Sequence, residues 1–178
     1  PRVLIITPEV TYPPDRMGGL ASFYTAKAGG LADVSASLIS ALFDQGADVH
    51  VAIPDYRSVF SDKLAPVLKN EINRIQDKMP TDRVHLAEDR AFYYINRVYS
   101  AYGGENIKLS LAFQREVINN IIPRVQPDLI HCNDWMTGLI PAVAREHGIP
   151  CLFTIHNIHT VKTTLAQVED RGIDAAYF

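Results

Sequence analysis

Apolar positions fall into two alternating patterns along the chain. Short continuous runs give way to stretches in which apolar residues recur every three or four positions. Residues 2–7 are such a run and predict a buried strand, followed by a turn at Pro8-Glu9. A loop of about 20 residues then leads to Gly30, carrying Pro13, Pro14, Gly18 and Gly19; loops of that length are usually functional or disordered. It holds a near-repeat, Met17 to Ala21 against Ala28 to Ala32, of which only the second copy is preceded by lysine and followed by aspartate. From Leu31 a helix is predicted. Leu31, Val34, Leu38 and Leu42 mark its buried face and Gly46 its stop. Residues 48–53 are the second strand, and strand, helix and strand make a parallel, right-handed βαβ unit.

The stretch 54–105 is the hardest to read. It suggests a short helix from Asp55 to about Ser61, a hairpin or an excursion from the sheet over 62–82, and an aromatic strand over 91–98. Tyr102 to Gly104 reads as a loop. A helix follows over 106–122, with Leu111, Ile118 and Ile122 on one face and Pro123 and Pro127 closing it. Asp128 to Cys132 is a strand, and a helix then runs to about Glu146, with Pro141 near its first turn and Gly148 ending it. Cys151 to Ile155 is the next strand, and 161–171 reads as helix. The alternation predicts one α/β domain: a doubly wound, mostly parallel sheet with helices on both faces.

Such sheets bind ligands beyond the carboxyl ends of their strands. Three polar groups fall at three such ends: the turn Lys27 to Asp33, then Asn133-Asp134, then His156-Asn157. Lys27, Gly29, Gly30 and Asp33 suit an anionic ligand, because glycines admit close backbone approach and a helix N-terminus adds positive potential. The plainer reading is a glycine turn that packs helix on sheet. Asp134 would accept a sugar hydroxyl or balance developing positive charge, or it would cap the following helix. His156 and Asn157 would hydrogen-bond a ligand, or serve only the turn. His131 reads as a satisfied core group and His159 as exposed. The spacing of these groups matches no common zinc pattern, so no metal site is expected.

Composition narrows the classes. The 178 residues are 47% hydrophobic and 21% charged, with a net charge of -3. That is enough for one sizeable core, with no broad basic field for nucleic acid or an anionic membrane surface. No apolar run approaches the roughly 18 residues of a membrane span, and the N-terminal run reads as a strand, not a signal. Cys132 and Cys151 sit in or beside strands, which suggests buried thiols and a reducing cytoplasm. No Gly-x-Ser-x-Gly elbow occurs, no Gly-x-Gly-x-x-Gly follows the first strand, and the lysine precedes the glycines instead of following them as in a phosphate loop. No cofactor is expected.

Lys27-Ala28-Gly29-Gly30-Leu31-Ala32-Asp33-Val34 resembles the Lys-x-Gly-Gly-Leu-Ala-Asp-Val signature of bacterial glycogen synthases and plant starch synthases. His131 to Leu139 resembles their His-x-x-Asp-Trp-x-Thr-Gly-Leu, Thr154 to Asn157 their Thr-Ile-His-Asn, and Asp48 to Tyr56 their second strand. The resemblance implies the Rossmann-like N-terminal half of a two-domain GT-B glycosyltransferase. It implies transfer of glucose from ADP-glucose to the nonreducing end of an α-1,4-glucan, with retention and without a required metal. Carried over, Lys27 would contact the donor phosphate or sugar, with the Gly29-Gly30 backbone against the donor. Asp33 would support the loop or the nucleotide sugar, and Asp134 would line the acceptor and sugar site. His156 would stabilise the transition state or hold the glucose, with Asn157 beside it. The loop before Lys27 is longer than usual, Asn133 replaces a histidine, and Ile158 to Val161 replaces an aromatic-Gln-Gly segment; these departures leave the acceptor side and the glucan open. The expected state is the acceptor-side domain of a larger enzyme, without its C-terminal nucleotide-binding domain and inactive alone. The alternatives are another nucleotide-sugar transferase of this architecture, or a non-catalytic glucan- or phosphate-binding module.

Overall fold

The computed structural model describes residues 1–18, 25–56, 83–158 and 162–178. The short helix after Asp55, the excursion over 62–82, His159 and most of the first glycine repeat lie outside the described residues. Five strands form one all-parallel sheet: β1 (Arg2–Ile6), β2 (Asp48–Pro54), β3 (Val84–Ala87), β4 (Leu129–Asn133) and β5 (Cys151–Thr154), in the order β3-β2-β1-β4-β5. Val3 to Ile6 in central β1 are almost fully buried, as continuous apolar runs in a parallel sheet should be. Leu4 pairs with His50 on one side and with Ile130 on the other.

Among the described residues four helices connect or follow the strands: α1 (Gly30–Asp44), α2 (residues 103–125), α3 (Ile140–Glu146) and α4 (Leu165–Glu169). The strand order runs outward from β1 in both directions, so right-handed crossovers put α1 on one face of the sheet and α2 and α3 on the other. Both α1 and α3 end in the same way. Gly46 and Gly148 take positive φ (80° and 66°), and Ala47 N–H and Ile149 N–H reach back to the carbonyls of Leu42 and Ala144.

Four expectations are corrected. The aromatic run 91–98 is not a strand; β3 lies earlier, over Val84–Ala87. The Asp89 carboxylate accepts a hydrogen bond from Ala91 N–H and starts a 3₁₀ turn over Arg90–Phe92. Phe92 is then inserted edge-on against Tyr56, while Tyr94 is left in solvent. Strand preference measures fit to a pleated, half-buried surface, and this run meets no such surface. Second, Val34 is 52% exposed; the face of α1 on the core is Leu31, Ala32, Ser35 and Ile39, with Leu38 and Leu42 at its margin. Third, α2 starts at Gly103 and runs through Pro123. A π turn over Val117–Ile121 lets Ile122 N–H bond to the Val117 carbonyl, so the missing N–H of Pro123 leaves the helix unbroken. It ends at Gln126, which takes the left-handed conformation at φ 50°. Fourth, the last helix covers only Leu165–Glu169, started by a reciprocal cap between Thr164 and Gln167.

A polar chain ties β2, β3 and α2 together. The Arg124 guanidinium, which can only donate, approaches His85 Nδ1 at 3.3 Å. His85 Nε2–H therefore donates to His50 Nδ1 at 2.8 Å, and His50 Nε2–H faces Asp48 at 3.5 Å. Both rings are neutral in this arrangement. Burial, then Arg124 and His50, push the pKa of His85 down to about 3.

Candidate active site

Strand ends and one turn build a cavity of about 680 Å³, lined by Glu9, Ala28, Gly29, Gly30, Leu31, Tyr99, Trp135, His156 and Asn157. Glu9 follows β1, the glycines open α1, Trp135 follows β4, and His156-Asn157 follow β5. These residues sit beyond the carboxyl ends of their strands because all five strands run parallel.

The glycines meet nothing. A Cβ built on Gly29 or Gly30 would have no atom within 4 Å, and neither residue has positive φ. Packing of helix on sheet does not require them; their smoothness serves the cavity they line. No side chain caps α1, and among the described residues no acceptor meets Gly30 N–H or Leu31 N–H. Those two amides and the positive end of a 15-residue helix remain at the cavity.

The next two amides back are taken. Glu9, 3% exposed, accepts from Ala28 N–H at 2.7 Å and Gly29 N–H at 2.9 Å through Oε2, and from the Tyr99 hydroxyl at 2.7 Å through Oε1. Burial, then the Glu9 carboxylate, hold the Tyr99 phenol far above its ordinary range, so it stays a donor. Tyr99 and Trp135 stand side by side, ring centres 6.3 Å apart.

Lys27 does not line the cavity. Its ammonium forms an ion pair with Asp33 at 2.7 Å, and Thr11 Oγ1–H donates to the same carboxylate at 2.6 Å. The hydrogen bond from Lys27, then that from Thr11, lowers the Asp33 pKa. Asp33 thus supports the loop in which Lys27 sits. A two-way backbone bridge between Val10 and Ala26 closes the base of the long segment between them.

Asp134 is 1% exposed and lies behind the cavity wall, not on it. Its backbone takes φ 65°, uncommon for a residue with a Cβ. Its side chain caps nothing in the turn that follows. Instead Oδ1 accepts from His156 N–H at 3.3 Å and Asn157 N–H at 3.0 Å, and Oδ2 accepts from the Asn157 amide. One carboxylate after β4 therefore fixes the segment after β5. His156 Nε2–H donates to Asn133 Oδ1 at 3.2 Å, while the buried Asn133 Nδ2 has no partner among the described residues. His131 is buried on Thr154, and burial, then His156, lowers its pKa. Cys132 is buried and Cys151 half-buried, with the sulfurs 3.8 Å apart.

The structure gathers Gly29, Gly30, His156 and Asn157 on one cavity, with Asp134 directly behind and the Lys27–Asp33 pair outside. Sequence reasoning passed over Glu9 and Tyr99. An acid two residues beyond the first apolar run is a readable signal for Glu9; nothing in the ambiguous stretch around Tyr99 singled it out. Among the described residues no three His, Cys, Asp or Glu side chains gather to hold a metal ion, and no helix is long and apolar enough to cross a membrane.

A family model described as starch synthase catalytic domain matches residues 2–172. A glycogen synthase from Moorella thermoacetica is 32% identical over 177 residues, covering 88% of this chain and 33% of the relative. One from Cellvibrio japonicus is 34% identical over 154 residues, covering 74% of this chain and 32% of the relative. One from Geotalea uraniireducens is 31% identical over 183 residues, covering 86% and 37%. The chain spans about a third of the length of these curated relatives.

Proposed function

The chain belongs to the starch synthase catalytic domain family, and from that premise we propose that it supplies one wall of a glucosyltransferase active site. The reaction is transfer of glucose from a nucleoside diphosphate sugar, ADP-glucose first, to the nonreducing 4-hydroxyl of an α-1,4-glucan, with retention and without a required metal. The observation that carries this reading is the cavity itself. Side-chain-free glycines and two uncapped helix amides face an aromatic pair and a His-Asn turn across about 680 Å³.

The departing diphosphate gains negative charge in the transition state. The free amides of Gly30 and Leu31, the α1 dipole and Lys27 place positive potential beside it. Lys27 shares its charge with Asp33, so it acts as a steering charge unless that pair opens. His156 and Asn157 hold the glucose, and Asp134 positions both. A second, nucleotide-binding domain in the same protein, on the C-terminal side, closes the crevice and supplies the remaining donor contacts. A cytoplasmic setting fits this chemistry.

Incorporation of labelled glucose into glycogen from ADP-glucose, with UDP-glucose in parallel, tests the reading in the complete protein. Faster transfer from ADP-glucose is expected. No transfer from either donor overturns it, and measurable transfer by the 178-residue chain alone overturns the need for a second domain. Glu9 on two of the turn's amides and Asp33 on Lys27 favour one competing reading, a non-catalytic module that binds neutral glucan. Lys27→Ala separates the two: a loss of transfer of about tenfold or more, ~1.4 kcal/mol of transition-state binding, is expected of the enzyme.

A further inference from the structure

We propose that Glu9 is a specificity-determining residue that makes the floor of the cavity a site for a neutral sugar hydroxyl and closes it to phosphate. The inference deepens the transferase reading, since it assigns what each part of the same cavity accepts.

The argument is a count of lone pairs. A carboxylate offers about four acceptor positions. Oε2 uses two, on Ala28 N–H and Gly29 N–H, and Oε1 uses one, on the Tyr99 hydroxyl. All three partners are donors, so the group acts as an ionised carboxylate. Among the described residues one position on Oε1 is left, and Glu9 lines the cavity. A carboxylate at 3% exposure offers that last position to a donor alone. A sugar hydroxyl is such a donor; a phosphate is a second anion and is repelled in a poorly solvated site. Tyr99 and Trp135, side by side on the same cavity, offer the aromatic surface on which a sugar ring packs.

The same contacts divide the glycine turn. Glu9 holds the Ala28 and Gly29 amides, so a ligand phosphate meets only those of Gly30 and Leu31. Two amides alone hold inorganic phosphate too weakly to register at millimolar concentration in this chain, whereas sugar fits between Glu9 and the aromatic pair.

Trp135, the chain's single tryptophan, lines the cavity and reports on it. The 178-residue chain is titrated with maltotriose and separately with inorganic phosphate, following Trp135 fluorescence. For the wild type a saturable maltotriose response in the millimolar range is expected, with none from phosphate at equal concentration. Glu9→Gln keeps the shape and removes the charge. It should weaken maltotriose about tenfold or more and let a phosphate response appear. Tyr99→Phe should still reject phosphate, because the carboxylate stays. A merely structural Glu9 would lose maltotriose without gaining phosphate, and that result at an unchanged near-ultraviolet spectrum overturns the proposal. So does a wild-type chain that answers to phosphate or ignores maltotriose, or a Glu9→Gln chain that still rejects phosphate. If Glu9→Gln does not fold, a Tyr99→Phe chain that admits phosphate overturns it equally. Failure of the transferase reading shows separately, as absence of glucose transfer by the complete protein while this discrimination persists.

Discussion

Asp134 carries three hydrogen bonds on a carboxylate that is 1% exposed, so its effect on the cavity passes through His156 and Asn157. Asp134→Asn turns one acceptor oxygen into a donor facing the Asn157 amide. A loss of about 1–3 kcal/mol in unfolding free energy is expected, read from the urea midpoint. Asp33 is the opposite case, an open carboxylate held by Lys27 and Thr11. Its pKa is lowered, so the stability it contributes is present above the unfolded value and lost as pH falls through the folded one. Solvent keeps that contribution small, and the clear readout is the carboxyl ¹³C titration. Lys27→Ala should move the Asp33 midpoint up, toward the ordinary aspartate value; an unmoved midpoint would show that Lys27 is not its partner in solution.

Among the elements, α1 shows how far apolar spacing can mislead. Leu31, Val34, Leu38 and Leu42 fit a stripe, yet the stripe on the sheet is centred on Ala32, Ser35 and Ile39, with Ser35 hydrogen-bonded to Thr7. Small residues face the sheet because helix and strand approach closely there, and a volume constraint is invisible to a hydrophobicity count. Ile39→Ala should cost about 2–5 kcal/mol and Val34→Ala less than about 0.5, measured by denaturant unfolding. The β2–β3 edge carries its own pH dependence. His85 has a pKa near 3 in the folded chain, below that of an unfolded histidine. The unfolded chain therefore binds the extra proton between those values, and stability falls as pH drops through that window, by at most about 1.4 kcal/mol per unit. His85→Gln should flatten the stability profile between about pH 4 and 6. An unchanged slope would mean that the Arg124–His85–His50 chain does not persist in solution.

Over the whole molecule, one parallel sheet brings distant segments to one crevice. Glu9, the 28–30 turn, Tyr99, Trp135 and His156 are spread across most of the chain and line one cavity. The core beneath is shared, with Phe113 of α2 fully buried in it. Phe113→Ala should cost about 3–5 kcal/mol and lower the melting temperature. Hydrophobic runs and their spacing were enough to determine the α/β class, four of the five strands, α1 and the carboxyl-end crevice, because runs and periods are local properties and parallel strands follow from βαβ connection. Family signatures likewise marked Lys27, Gly29, Gly30, Asp33, Asp134, His156 and Asn157. Tertiary structure alone decided where β3 lies, since an edge strand as short as Val84–Ala87 carries little pattern. It also decided that Pro123 stays inside a helix, through a backbone shift that no side chain announces. Above all it decided how the site residues divide their work. Which donors a buried carboxylate meets depends on segments brought together only by folding: Glu9 meets residues 28, 29 and 99, and Asp134 meets 156 and 157.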